Sequence, residues 1–223
     1  MLLSSRESIR AITQDRMKST VIFIVYIVLL CIKCSAGEFD VEVVYFTFIH
    51  PLRWHLIMPH QLADLKATKL LEHVKRINVV YTLEDKNSNI VPSIEQAVLS
   101  TLGNSSYDLI QTHHFINNYE YEGLKMLHTR AKEHPERVFL YFHGKGMVFH
   151  QHKHGRIADE LVLHHVVIKP WKEVSRIFRE HHEVQKAGFT CSPEGFVWFN
   201  YMWIRGAYLS RCSPPQVFAN RYE

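Results

Sequence analysis

The sequence predicts an α/β domain with a mostly parallel central sheet flanked by helices, and three observations carry that reading. Runs rich in β-branched and aromatic residues alternate with segments of helical periodicity from Phe39 onward. One of these runs, Val138 to Phe142, is apolar without interruption, as expected of a strand covered on both faces. It leads straight into His143-Gly144-Lys145-Gly146, a turn whose glycines let backbone come close to a bound group at the carboxyl end of a central strand.

Each element has its own signal. Phe39 to Ile49 is the first strand, closed by His50-Pro51. Pro59 opens a helix in which Leu62, Leu65, Leu70 and Leu71 recur at helical spacing through His73. Ile77 to Leu83 is a second strand, so the unit is β-α-β and its strands should pair in parallel. Ser93 to Leu102 is a helix with Ser93 as its cap and Gly103 as its stop. Asp108 to His114 is a weak strand. Tyr119 to His134 is a helix with Tyr121, Leu124, Leu127 and Ala131 on one face, ended by Pro135. Beyond the glycine turn, Ile157 to Val167 and Trp171 to Glu183 are helices interrupted at Pro170. Gly195 to Leu209 is a final aromatic strand in which Asn200 and Arg205 are the polar exceptions.

Composition narrows the function. With 223 residues, 47% hydrophobic, the chain can bury one proper core. A formal charge of +4, scattered along the chain, argues against a nucleic-acid partner. The 16 histidines show neither His-Glu-x-x-His nor zinc-finger spacing, so they read as solvated; if any binds a metal, it is His143. Val21 to Ile32, preceded by Arg10, Arg16 and Lys18 and followed by Ala36, reads as a signal peptide over residues 1–36. The alternative is a short signal anchor, the chain's sole expected membrane contact. Either places 37–223, as a single domain, in the secretory pathway: Golgi or endoplasmic-reticulum lumen, or secreted. Asn104-Ser105-Ser106 is a glycosylation sequon consistent with that route. Cys31 and Cys34 belong to the targeting segment. Cys191 and Cys212 are either a disulfide or two free thiols.

Four stretches then point the same way: HPLRWHLIMPHQL (50–62), NYEYEGLKML (118–127), FLYFHGKGM (139–147) and WFNYMWIRGAYL (198–209). Together and in this order they resemble a family of GT-A-like glycosyltransferases of protists, algae and large viruses, over nearly all of residues 40–223. The resemblance implies a nucleotide-sugar-binding fold, a nucleotide-sugar donor and a glycan or glycoprotein acceptor. It also implies a truncated C-terminus, because related sequences continue past Glu223 with another aromatic and acidic stretch. The usual Asp-x-Asp site, which holds a divalent cation against the departing diphosphate, is replaced here by His143-Gly144-Lys145. A cation is therefore not assured.

Sugar transfer from a diphosphate leaves negative charge on the departing phosphate, and fixed cations aimed at that charge are a large catalytic term. Lys145 is the first candidate, between Gly144 and Gly146, with His143 donating to phosphate and Arg156 or Arg205 adding a bidentate grip. An inverting transfer needs a carboxylate base; Glu194 ranks ahead of Asp159 and Glu160 because it precedes the aromatic strand. Asn200 would bind sugar hydroxyls, with Trp198 or Trp203 stacked on a sugar face, or else Asn200 is satisfied by backbone and Trp203 is core. From the resemblance alone, Thr47 and His50 meet the base and ribose. The rival reading is a catalytically inactive glycan- or nucleotide-binding protein of the same fold. A third is a His-rich metal-binding secreted protein.

Overall fold

A computed structural model of the chain describes residues 40–83, 89–113, 119–144, 155–190 and 197–217, with the side chains of 113, 155–158 and 198 set aside. These all belong to one compact unit, Phe39–Glu223. Its centre is a six-stranded sheet of β1 (Val41–Phe48), β2 (Val74–Leu83), β3 (Tyr107–His113), β4 (Val138–His143), β5 (Lys186–Gly188) and β6 (Met202–Arg205). The order is β3-β2-β1-β4-β6-β5. The first four strands run parallel, and β6 is antiparallel to both β4 and β5. The expected α/β class and mostly parallel sheet are therefore present.

Both faces are covered, which explains the unbroken apolar runs. Val41, Val43 and Tyr45 of β1, with Leu140 and Phe142 of β4, face one large core. That core is closed by α1 (Trp54–Ala67), α2 (Val91–Leu102), α4 (Gly155–Leu163) with the turn that follows it, and α5 (Trp171–Glu180). Val44, Phe46, Phe139 and Tyr141 point the other way, onto α3 (Tyr121–Glu133) and the short α6 (Gly206–Leu209). Gly123 lets α3 sit directly on the sheet: a Cβ there would stand 2.4 Å from Phe46 Cβ.

Several boundaries depart from the sequence reading. Helix α1 starts at Trp54 and holds Pro59 inside it, because the His50 carbonyl accepts the Arg53 and Trp54 amides and winds the chain at once. Leu70 belongs to a separate short 3₁₀ turn after left-handed Lys69. Ser93 is not the cap of α2; Pro92 occupies its first turn, and Gly103, with φ 62°, does end it. Helix α4 runs into a π turn, His164–Ile168, marked by the Lys169 amide donating to the His164 carbonyl five residues back at 3.0 Å. The aromatic stretch is not one strand but a 3₁₀ turn (Trp198–Asn200), β6 and α6. Among the described residues no helix is long and apolar enough to cross a membrane.

At the amino ends of the strands a buried ion cluster locks α3 to the sheet. Glu42, fully buried, accepts from Arg130 Nε at 2.6 Å, Arg137 Nη1 at 2.5 Å and Asn78 Nδ2 at 2.7 Å. Burial alone would raise its pKa; the bonds from Arg130, Asn78 and Arg137 outweigh that and hold the carboxyl below its ordinary value.

Candidate active site

The strand order reverses direction at β1, where β2 lies on one side and β4 on the other. In open α/β sheets the carboxyl ends of the strands flanking such a reversal frame a ligand crevice. Thr47, on β1, and Gly144, just past β4, meet there. The Gly144 amide donates to the Phe46 carbonyl at 2.8 Å, and a Cβ on Gly144 would fall 2.4 Å from Thr47 Oγ1.

On the α3 side of this junction stands a polar cluster. Asn200 Nδ2 donates to Glu120 Oε2 at 2.8 Å. His143 Nε2 lies 2.9 Å from the Phe199 carbonyl and 3.2 Å from Glu120 Oε1. A carbonyl only accepts, so the proton of neutral His143 sits on Nε2, and Nδ1 is the basic ring nitrogen. Tyr201 donates from its hydroxyl to the His143 carbonyl at 2.7 Å, fixing the strand end from below. Three residues in this cluster occupy the left-handed region without being glycine: Tyr119 (φ 52°), Phe199 (φ 65°) and Asn200 (φ 53°). Such conformations cost roughly 1–3 kcal/mol each and gather where geometry matters more than stability.

On the opposite side, beneath Thr47, lies a second cluster. Tyr45 donates to Gln61 Oε1, and its hydroxyl is 3.6 Å from the Cβ position of Gly144. Gln61 Nε2 faces the Glu160 carboxyl of α4 without a well-formed hydrogen bond to any group among the described residues. Glu160 is 7% exposed. Burial pushes its pKa up to about 7; Gln61 pulls it down somewhat, and Asp64 adds to the rise.

Thr47, His143, Gly144 and Asn200 thus come together. His50 stands at the same end of the sheet, where its carbonyl starts α1 and its Nδ1 accepts the Leu52 amide at 3.3 Å. Two residues do not join them. Arg205 is at the other end of β4, paired with Val138, and donates to the carbonyls of Val184, Phe178 and His181. It closes the end of α5 and offers no grip on phosphate. Trp203 is fully buried, its Nε1 donating to the Val167 carbonyl at 2.8 Å, so neither ring face is open to a sugar. Cys212 is a free thiol rather than half of a disulfide, its Sγ donating to the Tyr208 carbonyl at 3.6 Å. Asn104 is exposed in the turn after α2. Lys145, Gly146, Glu194 and Cys191, like the whole of 1–36, lie outside the described residues, as do the side chains of Arg156 and Trp198.

Sequence reasoning missed Glu120 and gave Glu160 no preference. Glu120 precedes a helix, where a carboxylate is ordinary; the signal that could have marked it is its place inside the same short segment as Tyr119 and Gly123. No protein-family model matches the chain, and no curated protein matches it.

Proposed function

We propose that residues 37–223 form a GT-A-like nucleotide-sugar-binding domain that transfers a sugar to a glycan or glycoprotein acceptor in the secretory pathway. The observation that carries this reading is convergence: three segments far apart in sequence, carrying Thr47, His143-Gly144 and Asn200, meet at the reversal point of a mostly parallel sheet. The parallel part follows the 3-2-1-4 order common among nucleotide-binding sheets. On this reading Lys145, joined by His143 once its Nδ1 is protonated, meets the charge that grows as the sugar C1–O bond breaks. The acceptor oxygen forms the new bond to C1 and gives its proton to a carboxylate.

The residues at the end of β4 do not suit a two-carboxylate cation site. Among the described residues the carboxylate nearest His143 is Glu120, already bonded to His143 and Asn200. No step is therefore routed through a metal. Thermal denaturation with UDP, GDP and their sugars tests binding, since a ligand of the folded state raises the melting temperature. Donor hydrolysis with and without EDTA tests catalysis; an absolute requirement for Mn²⁺ or Mg²⁺ would sink the metal-independent form.

The same engagement of Glu120 favours a second reading, a non-catalytic nucleotide- or glycan-binding protein. It predicts nucleotide binding with no donor hydrolysis at any pH.

A further inference from the structure

Strand β3 ends the sheet on one side, and among the described residues no strand pairs with its outer edge. The Ile77 amide donates to the Ser106 carbonyl at 3.0 Å, so in this parallel ladder the even-numbered residues of β3 turn their backbone toward β2. Tyr107, Leu109 and Gln111 therefore turn theirs outward. Natural edges are commonly blunted by lysine, proline or a bulge. Tyr107–His113 has none of these, and its register with β2 is unbroken.

A groove of about 480 Å³ lies along this edge, and its two walls are regular. One is formed by Tyr107, Leu109 and Gln111, alternate residues that share one face of β3. The other is formed by Pro92, Glu95, Gln96 and Leu99 of α2, spaced i, i+3, i+4 and i+7 and all exposed. This stripe is separate from Ile94, Val98 and Leu102, which bury α2 against the core. Tyr81 of β2 also lines the groove, its hydroxyl donating to Gln111 Oε1 at 3.1 Å. At 3.3 Å per strand residue and 1.5 Å per helix residue, walls of about 10–13 Å match an extended segment of about four residues.

We propose that this groove docks an extended polypeptide segment carrying a basic residue, which adds to β3 as a further strand. Main-chain bonds to the outward amides and carbonyls of β3 supply affinity, and alternate side chains entering the groove supply specificity. Aliphatic ones meet Leu99 and Leu109, and a cationic one meets Glu95. Glu95 is the charged side chain of the groove and makes no ion pair among the described residues. Charge also tells against a second copy as the occupant: joined edge to edge through a twofold axis, it would bring its own Glu95 to the same groove. Tyr81 pairs with Thr47 in the β1–β2 ladder, so on the transfer reading the docked segment belongs to the acceptor. The docking itself does not depend on that reading.

The experiment titrates the full chain with a blocked peptide as long as β3, in which valine, lysine and valine occupy alternate positions between threonines. Binding should slow hydrogen exchange of the outward Leu109 amide. Glutamate in place of the peptide lysine should weaken binding about tenfold. Methylating one alternate set of peptide amide nitrogens should abolish binding, and methylating the other set should leave it, because one side of the added strand bonds to β3. Glu95→Lys, an exposed change on α2, should reverse the preference between the lysine and glutamate peptides. Absence of peptide binding, an unprotected Leu109 amide, equal affinity for the two peptides, or indifference to both methylated sets overturns the inference. Self-association that competes with the peptide assigns the edge to a second copy and overturns it too. All these outcomes leave the nucleotide site standing; if the peptide binds but neither UDP nor GDP does, the docking groove stands and its role toward an acceptor falls.

Discussion

Gly144 and Thr47 approach so closely that a single added methyl group at Gly144 would lie 2.4 Å from the Thr47 hydroxyl oxygen and 3.1 Å from its Cβ. Thr47 is fully buried and β-branched, with little room to turn aside. Gly144→Ala is therefore expected to cost about 1–3 kcal/mol, the range for overfilling a packed site. Much of that should return in the double variant Gly144→Ala/Thr47→Ala. Urea denaturation of the four proteins measures the coupling; strictly additive losses would disprove the contact.

Glu120 positions both His143 and Asn200, so its removal should disturb two groups at once. Glu120→Ala is expected to weaken UDP or GDP binding about tenfold, equivalent to ~1.4 kcal/mol, and to change the ¹⁵N shifts of the His143 ring. The ring signal separates positioning from general destabilisation. Unaltered His143 shifts would show that Glu120 does not position the imidazole.

Acid should loosen the far end of the sheet first. The folded pKa of Glu42 lies below its unfolded value, so its contribution is complete above the ordinary glutamate pKa of about 4.3. It is lost as pH falls through the lower, folded value. Glu42→Ala takes the buried partner from Arg130 and Arg137, which keep only Glu133 and Glu136, and should cost about 3–5 kcal/mol at pH 7, with a smaller difference below the ordinary glutamate pKa. Equal losses at both pH values would contradict the ion cluster as the cause.

Glu160 has the opposite sign. Its folded pKa is raised, so its neutral form is favoured by folding and ionisation is destabilising. Stability should decline as pH rises from about 4.3 and level off past about 7, with a total penalty of order 3 kcal/mol. Glu160→Gln should therefore be more stable than the native chain at pH 8 and close to it at pH 5. Melting curves at the two pH values decide; a variant less stable at pH 8 would mean that the carboxylate has a stabilising partner.

Arg205→Ala should destabilise without touching the crevice. It strips donors from three carbonyls at the end of α5 and a cation from the Phe178 ring, at roughly 1–3 kcal/mol. Nucleotide affinity of the folded fraction should be unchanged.

The central strands were legible because burial on both sides leaves a run of apolar residues that nothing else in a soluble domain needs. Helices α2 and α3 were legible for a related reason: their apolar faces are periodic and Gly103 and Pro135 punctuate their ends. Strand β5 was not, since Lys186-Ala187-Gly188 has no pattern of its own and exists through pairing with β6. Nor was the break at Phe199 and Asn200: Asn tolerates left-handed backbone better than most residues, but Phe199 carries no such signal. In the site, Thr47, Asn200 and His143 were visible as polar residues in apolar surroundings. Arg205 shared that appearance but spends its donors on backbone. Glu120 and Glu160 looked like any helix-surface acid until the fold brought Asn200 and Gln61 beside them.

The widened turn at His164–Ile168 carries one residue more than ordinary helical winding would hold. A deletion inside the turn would restore regular winding and leave the upstream helix facing nearly as before, whereas a deletion from the regular winding just before it would swing everything upstream by about 100° relative to Trp171 and α5. The carboxyl at position 160 would then look away from α1 with its chemistry untouched. Insertions and deletions in this segment thus alter the aim of an acid that every point substitution would leave in place, and chain length here is as much a functional variable as residue identity.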